Sequence, residues 1–207
     1  MNVRKLVVVL GDQLDRASAA FDGFDPKRDR VWMAEVHEES THVWSHQARI
    51  VLFLSAMRHF RDELREERRW KVEYTALTTG TLAEALTKDV ARLNPAQLVM
   101  VQPGDYRVQQ SLLAAVPNLQ ILPDRHFLST SEDFAQHAEG RKQLRMEYFY
   151  REMRRRYDVL MEGDKPTGGD WNYDSDNREL SASKGLACCP MPKTSRAWKC
   201  SSATFSG

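Results

Sequence analysis

Apolar and polar positions alternate along the first 125 residues in a pattern that predicts five strands separated by helices. Lys5-Leu6-Val7-Val8-Val9-Leu10 is a β-branched run stopped by Gly11-Asp12, as expected for a strand buried on both faces of a parallel sheet. Arg30 to Val36 forms a second run after a loop rich in Asp, Gly and Pro. Ile50, Phe53, Leu54, Met57, Phe60 and Leu64 then recur three and four residues apart, with charged side chains between the later ones, and this spacing predicts an amphipathic helix that covers a sheet. Further on the pattern predicts strand Lys71 to Thr75, helix Thr81 to Leu93, strand Gln97 to Val101, helix Asp105 to Val116 and strand Leu119 to Leu122. Asn94-Pro95 and Pro117-Asn118 end the two helices, and Asp105 is an N-cap candidate after Pro103-Gly104. Strands alternating with helices imply an α/β fold, a doubly wound parallel five-stranded sheet of Rossmann-like type.

Beyond residue 125 the period changes. Ser131 is expected to cap a short helix through Phe134, and Gly140 separates it from a helix predicted over Arg141 to Met161. Met146, Phe149, Met153, Tyr157 and Leu160 form its apolar stripe, and the remainder is basic, with a net charge of +4. Gly168-Gly169, Trp171-Asn172-Tyr173-Asp174 and Asn177-Arg178 suggest an ordered aromatic loop. After Leu180 neither period nor cap is found. The expected organisation is an α/β domain over 1–130, linker helices and an aromatic loop over 131–180, and an unstructured tail over 181–207.

Composition narrows the possibilities. Of the 207 residues, 42% are hydrophobic and 29% charged, so the chain can bury a core and is not disordered by composition. No run approaches the ~18 apolar residues of a membrane span, and no basic-then-apolar leader precedes the first strand; the expectation is a soluble, cytoplasmic protein without membrane contact. The net charge of +1 is uneven. Residues 181–207 carry Lys184, Lys193, Arg196 and Lys199 and no acid, which leaves 26 basic against 29 acidic side chains in the first 180. An acidic body does not steer nucleic acid from a distance, so any DNA contact must be local. The basic helix offers three readings: a solvated face, a phosphate contact through Arg151, Arg154 and Arg155, or docking of another domain through Tyr148, Phe149 and Tyr150.

Chemistry is expected where the strands end, because open parallel sheets bind ligands in the crevice beyond the carboxyl ends of their strands. Gly11-Asp12-Gln13, Glu35-Val36 with Glu39, and Pro103-Gly104-Asp105 all fall there. Gly11 would let backbone approach a ligand, while Asp12, Gln13 and Glu35 would hydrogen-bond hydroxyls or ring nitrogens. The alternative is that Gly11 and Asp12 only make a turn and cap a helix. No Walker-type loop or glycine triplet is present, so phosphate binding by those motifs is unsupported. His42 and His46 stand four apart but lack the internal glutamate of a metalloprotease helix, and Cys188-Cys189 is adjacent, not C-x-x-C; no metal site and no catalytic residue is expected. All three cysteines fall in the last 27 residues, which gives no disulfide framework.

Taken together, several phrases resemble the amino-terminal part of the bacterial photolyase-related proteins, the iron–sulfur branch of the cryptochrome/photolyase family. They are Leu10-Gly11-Asp12-Gln13-Leu14, Ser55-Ala56-Met57-Arg58-His59-Phe60, Pro103-Gly104 with Arg107-Val108, and Asp124-Arg125-His126-Phe127-Leu128-Ser129. The longest is Gly140-Arg141-Lys142 leading into Met146-Glu147-Tyr148-Phe149-Tyr150-Arg151-Glu152-Met153-Arg154-Arg155, followed by Gly168-Gly169 and Trp171-Asn172. The resemblance covers residues 4 to about 180.

The resemblance implies an antenna-type α/β domain that binds 6,7-dimethyl-8-ribityllumazine, followed in the family by a helical domain carrying FAD and a four-cysteine 4Fe-4S cluster. Light collected by the antenna passes to the flavin, which donates an electron to a pyrimidine photoproduct in DNA. Gly11, Asp12, Gln13, Glu35, Val36, Glu39 and Phe53 match the neighbourhood of the antenna pocket, where Glu39 and Asp12 would hydrogen-bond the chromophore and Phe53 would pack on its ring. Cys188, Cys189 and Cys200 match none of the cluster cysteines, so FAD and the cluster are not expected in this chain. The expectation is a truncated photolyase-related product, incapable of repair by itself, with residues 181–207 a shifted reading frame. DNA would be a partner through the full-length enzyme. The alternatives are a stand-alone small-molecule or nucleotide-binding module using the same crevice, and an inert fragment with an exposed docking face.

Overall fold

A computed structural model describes residues 3–173 of the chain, and these divide into two compact units with the boundary between Arg145 and Met146. In the first unit, strands β1 (Lys5–Val8), β2 (Arg30–Val36), β3 (Val72–Thr78), β4 (Gln97–Val101) and β5 (Leu119–Leu122) form one parallel sheet in the order β3-β2-β1-β4-β5. The doubly wound α/β class expected from the pattern is the observed one. Helices α1 (His37–Thr41), α2 (Gln47–Glu66), α3 (Leu82–Leu93), α4 (Tyr106–Ala115) and α5 (Ser131–Ala138) complete the unit, with a 3-10 turn at Ala19–Phe21.

Successive strand residues point to opposite faces, and each face has its own apolar layer. On one, Leu6, Val8, Trp32, Ala34, Leu98 and Met100 pack with Leu82 and Leu86 of α3 and Val108 and Leu112 of α4. On the other, Val7, Val31, Met33, Val72 and Val99 pack with Met57, Phe60 and Leu64 of α2 and the turn at Ala19–Phe21. The one polar atom of the fully buried Trp32 is satisfied, since its Nε1–H donates to Asp89 Oδ2 at 2.9 Å.

Helix ends follow the expected chemistry. Asp105 caps α4 by accepting from the Arg107 N–H at 2.8 Å, and α3 begins with a reciprocal capping box between Thr81 and Glu84. Three differences from the sequence expectation have local causes. Helix α1 reads His-Glu-Glu-Ser-Thr and buries nothing, so it has no apolar period to find. Helix α5 is capped by Thr130, not Ser131, and runs past Phe134 to Ala138, grouping with the first unit. The basic helix is shorter than Arg141 to Met161.

That helix, α6 (Met146–Tyr157), opens the second unit and is followed by a hairpin of β6 (Met161–Glu162) and β7 (Lys165–Pro166). It stops because Asp158 and Leu160 take left-handed backbone conformations, φ 52° and 53°. The Arg154 guanidinium then donates to the carbonyls of Val159 (3.1 Å) and Leu160. The apolar stripe is correspondingly reduced to Phe149 and Met153, while Met146, Tyr157 and Leu160 are exposed. Of the expected aromatic loop, the part through Tyr173 is described; Asp174, Asn177-Arg178 and the proposed frame-shifted tail lie outside the described residues.

Candidate functional site

The strand order reverses between β1 and β4, and there a crevice of about 480 Å³ opens at the carboxyl ends of β1, β2 and β4. Six of the seven sequence-predicted residues line it: Gly11, Asp12, Glu35, Val36, Glu39 and Phe53. Gln13 does not. Its side-chain amide donates to the carbonyls of Val101 (3.2 Å) and Gln102 (2.9 Å), tying the loop after β1 to the end of β4. These bonds fix the loop that carries Asp12 and use only the amide NH2; the Gln13 Oε1 is buried with no hydrogen-bond partner among the described residues.

Gly11 also has a packing reason. A Cβ at this position would come within 2.9 Å of Met57 Sδ, so it lets the α2 thioether close against the end of β1.

Glu35 is also held by partners within the protein. Strand alternation turns it to the α2 face of the sheet, where its side chain is fully enclosed. Arg58 donates to both oxygens, at 2.7 and 2.8 Å, the Tyr74 hydroxyl donates to Oε1, and the Leu77 N–H donates to Oε2 at 3.3 Å. Burial pushes the carboxyl up, but the hydrogen bonds from Arg58 and Tyr74 prevail and hold it below the usual value. Burial and the bond to Glu35 raise the Tyr74 hydroxyl in turn. A carboxylate with this many donors braces α2 against β2 and β3 and is not left for a ligand.

The carboxylates at the mouth differ. Arg107 of α4 reaches Glu39 at 3.0 and 3.1 Å, Asp105 at 3.3 Å and Glu38 at 3.8 Å. It thus links the segment after β2 to the segment after β4 across the crevice. Asp12 has no basic partner among the described residues. Desolvation by the surrounding chain, then the charges of Glu39, Asp105 and Asp124, raise its pKa above the ordinary value. It is the acceptor most available to a bound molecule.

The opposite wall is apolar. Phe53 is 43% exposed although it stands in register with the buried Met57, Phe60 and Leu64, and the Arg49 guanidinium lies 5.8 Å from its ring centroid. Leu54, Met57 and Val36 extend this wall. Asp105 lines the crevice where the sequence placed it, while Arg107, Arg49 and Met57 are lining residues that the sequence reading does not single out as ligand-facing. The signal for Arg107 was present, in an Asp-x-Arg placed just beyond a buried strand.

In the second unit, Trp171 lies against three guanidiniums, at 5.4 Å from Arg151, 5.2 Å from Arg154 and 4.6 Å from Arg155. They are not equivalent. Arg151 pairs with Glu147, and Arg154 is buried by its bonds to Val159 and Leu160. Arg154, one of the three arginines offered for a phosphate contact, thus directs its guanidinium to the carbonyls beyond the helix end. Arg155 is exposed and has no carboxylate partner among the described residues. Also among the described residues, no group of three or more His, Cys, Asp or Glu is disposed to hold a metal ion, and no helix is long and apolar enough to cross a membrane.

Comparison with known proteins adds to this geometry. The family model described as deoxyribodipyrimidine photo-lyase-related protein matches residues 7–200, extending past the boundary at about residue 180 given by the quoted phrases. A (6-4) photolyase of Agrobacterium fabrum (strain C58 / ATCC 33970) is 43% identical over 183 residues, covering 84% of this chain and 36% of that protein. Uncharacterized protein R852 of Acanthamoeba polyphaga mimivirus is 25% identical over 146 residues, covering 66% of this chain and 72% of that protein. The chain thus spans about a third of the photolyase it matches.

Proposed function

The chain belongs to the deoxyribodipyrimidine photo-lyase-related protein family, and on that premise we propose that its crevice binds an antenna chromophore, 6,7-dimethyl-8-ribityllumazine, as the light-collecting part of a light-dependent DNA-repair flavoprotein. The observation that carries this reading is the pairing of an apolar wall around the part-exposed Phe53 with an uncommitted Asp12 carboxylate at the sheet's switch point. Phe53 and Met57 would pack on the ring system, and Asp12 would accept hydrogen bonds from ring N–H or ribityl hydroxyl groups. Glu39 has lone pairs left beside its bond to Arg107 and would serve a second hydroxyl.

The size agrees, because about 480 Å³ lies within the ~300–1,000 Å³ of ordinary ligand pockets. So does the charge. With Glu35 paired to Arg58, Asp12, Glu39 and Asp105 still outnumber Arg49 and Arg107 along the lining, which opposes a phosphate and favours an uncharged polyol tail. This balance argues against a nucleotide-binding module using the same crevice. A bound lumazine supplies absorption of light; the chain supplies its placement and electrostatic surroundings. Flavin chemistry, the iron–sulfur cluster and contact with a DNA lesion are assigned in this reading to a helical domain and not to the α/β unit.

Equilibrium dialysis of the purified chain against the lumazine and, separately, against ATP tests the proposal. Saturable lumazine binding is expected, with ATP bound more weakly, and Phe53→Ala should weaken the lumazine complex by roughly tenfold through lost ring packing. Absence of lumazine binding, or preference for ATP, would overturn it.

A further inference from the structure

A second crevice, of about 600 Å³, lies over the carboxyl ends of β4 and β5 and shares the Pro103 wall with the first. We propose that it is a binding site for an unphosphorylated nucleoside, separate from the antenna crevice.

Its two aromatic side chains come from different segments. Tyr106, the first residue of α4, is 74% exposed, and Phe127, in the loop after β5, is 65% exposed. Exposed aromatic side chains in a crevice also lined by Ile121 and Leu122 gain by taking up a planar ring. The segments that present them are held in place. The Gln102 side-chain amide donates to Ser131 Oγ at 3.1 Å, and its backbone N–H donates to the Leu122 carbonyl at 2.9 Å. Asp124 accepts from the His126 N–H at 2.8 Å, which fixes the loop carrying Phe127, and the His126 ring stands edge-on to Phe127 at 5.6 Å.

The polar groups name the ligand class. The Gln109 side-chain amide lines the crevice and has no hydrogen-bond partner among the described residues, so both its donor and its acceptor are free. A free carboxamide reads the paired donor and acceptor on the edge of a nucleobase. Asp124 and Glu132 supply carboxylate acceptors suited to ribose hydroxyls. Among the described residues no Lys or Arg lines the crevice, and the nearby Arg125 is paired with Asp22 at 2.5 Å. The amino-terminus of α5, which would otherwise draw a phosphate, is closed by the Thr130–Asp133 capping box and carries Glu132 and Asp133 in its first turn.

Titration of the full chain with adenosine and with adenosine monophosphate, followed by amide chemical shifts, tests the site. The expected result is saturable adenosine binding in the micromolar to millimolar range, weaker binding of the monophosphate, and no displacement by excess 6,7-dimethyl-8-ribityllumazine. Tyr106→Ala and Phe127→Ala should each weaken adenosine by roughly tenfold, whereas Tyr106→Phe, which keeps the ring, should not. No saturable adenosine binding, tighter binding of the monophosphate, or displacement by the lumazine would overturn the proposal, and each is read on the unmodified chain whatever the variants do.

Discussion

Asp12, in the loop after β1, and Glu35, near the end of β2, show how two carboxylates at the same end of the sheet acquire opposite roles. Glu35 collects donors from Arg58, Tyr74 and Leu77, so its ionised form stabilises the fold. Because its folded pKa lies below the ordinary value, that contribution is full above about pH 4–5 and is lost as pH falls through the lowered value. Glu35→Gln should cost about 2–3 kcal/mol at neutral pH in denaturant unfolding and flatten the acid limb of the stability profile; an unchanged acid limb would contradict the assignment. Asp12 carries the reverse sign. Its folded pKa is raised, so its charge opposes folding at neutral pH, and Asp12→Asn should leave stability equal or higher. The same substitution should weaken lumazine by about tenfold if Asp12 accepts from the ligand, and calorimetric titration would read both effects. Stability sacrificed at one exposed carboxylate is the expected signature of a binding residue.

At the scale of elements, α6 separates residues that look alike in sequence. Arg154 and Arg155 are neighbours on one basic helix, yet Arg154 closes the chain onto Val159 and Leu160 while Arg155 only stacks on Trp171. Arg154→Ala should speed hydrogen exchange at the Val159 and Thr167 amides, corresponding to about 1.5–3 kcal/mol of lost local stability, and Arg155→Ala should leave them unchanged. Equal effects would show that the two guanidiniums share one task. The same helix shows where sequence patterns stop being informative. Strands β2, β4 and β5 were legible to the residue because each is a mainly apolar, β-branched run between breakers. The carboxyl end of α6 was not, since left-handed backbone at Asp158 and Leu160 has no glycine or proline to announce it. Helix α1 was missed for a different reason, having no buried face at all.

Across the first unit as a whole, topology determines which distant residues meet. The order β3-β2-β1-β4-β5 brings the segments after β1, β2 and β4 to one crevice, and the general rule for open α/β sheets predicts that meeting from strand order alone. It does not predict which side chains remain free. Gln13 and Glu35 were expected at the site by position, and only their partners show that one ties loops together and the other braces a helix. Arg107, which joins Glu39 to Asp105 across the mouth, needed the folded geometry to be seen. The central claim is that the lumazine occupies this switch-point crevice. Mapping backbone amide shifts of the full chain during titration with 6,7-dimethyl-8-ribityllumazine tests it most directly: saturable changes at Gly11, Asp12, Val36, Glu39, Phe53 and Met57 are predicted, and no change there, or changes confined to α6 and Trp171, would contradict it.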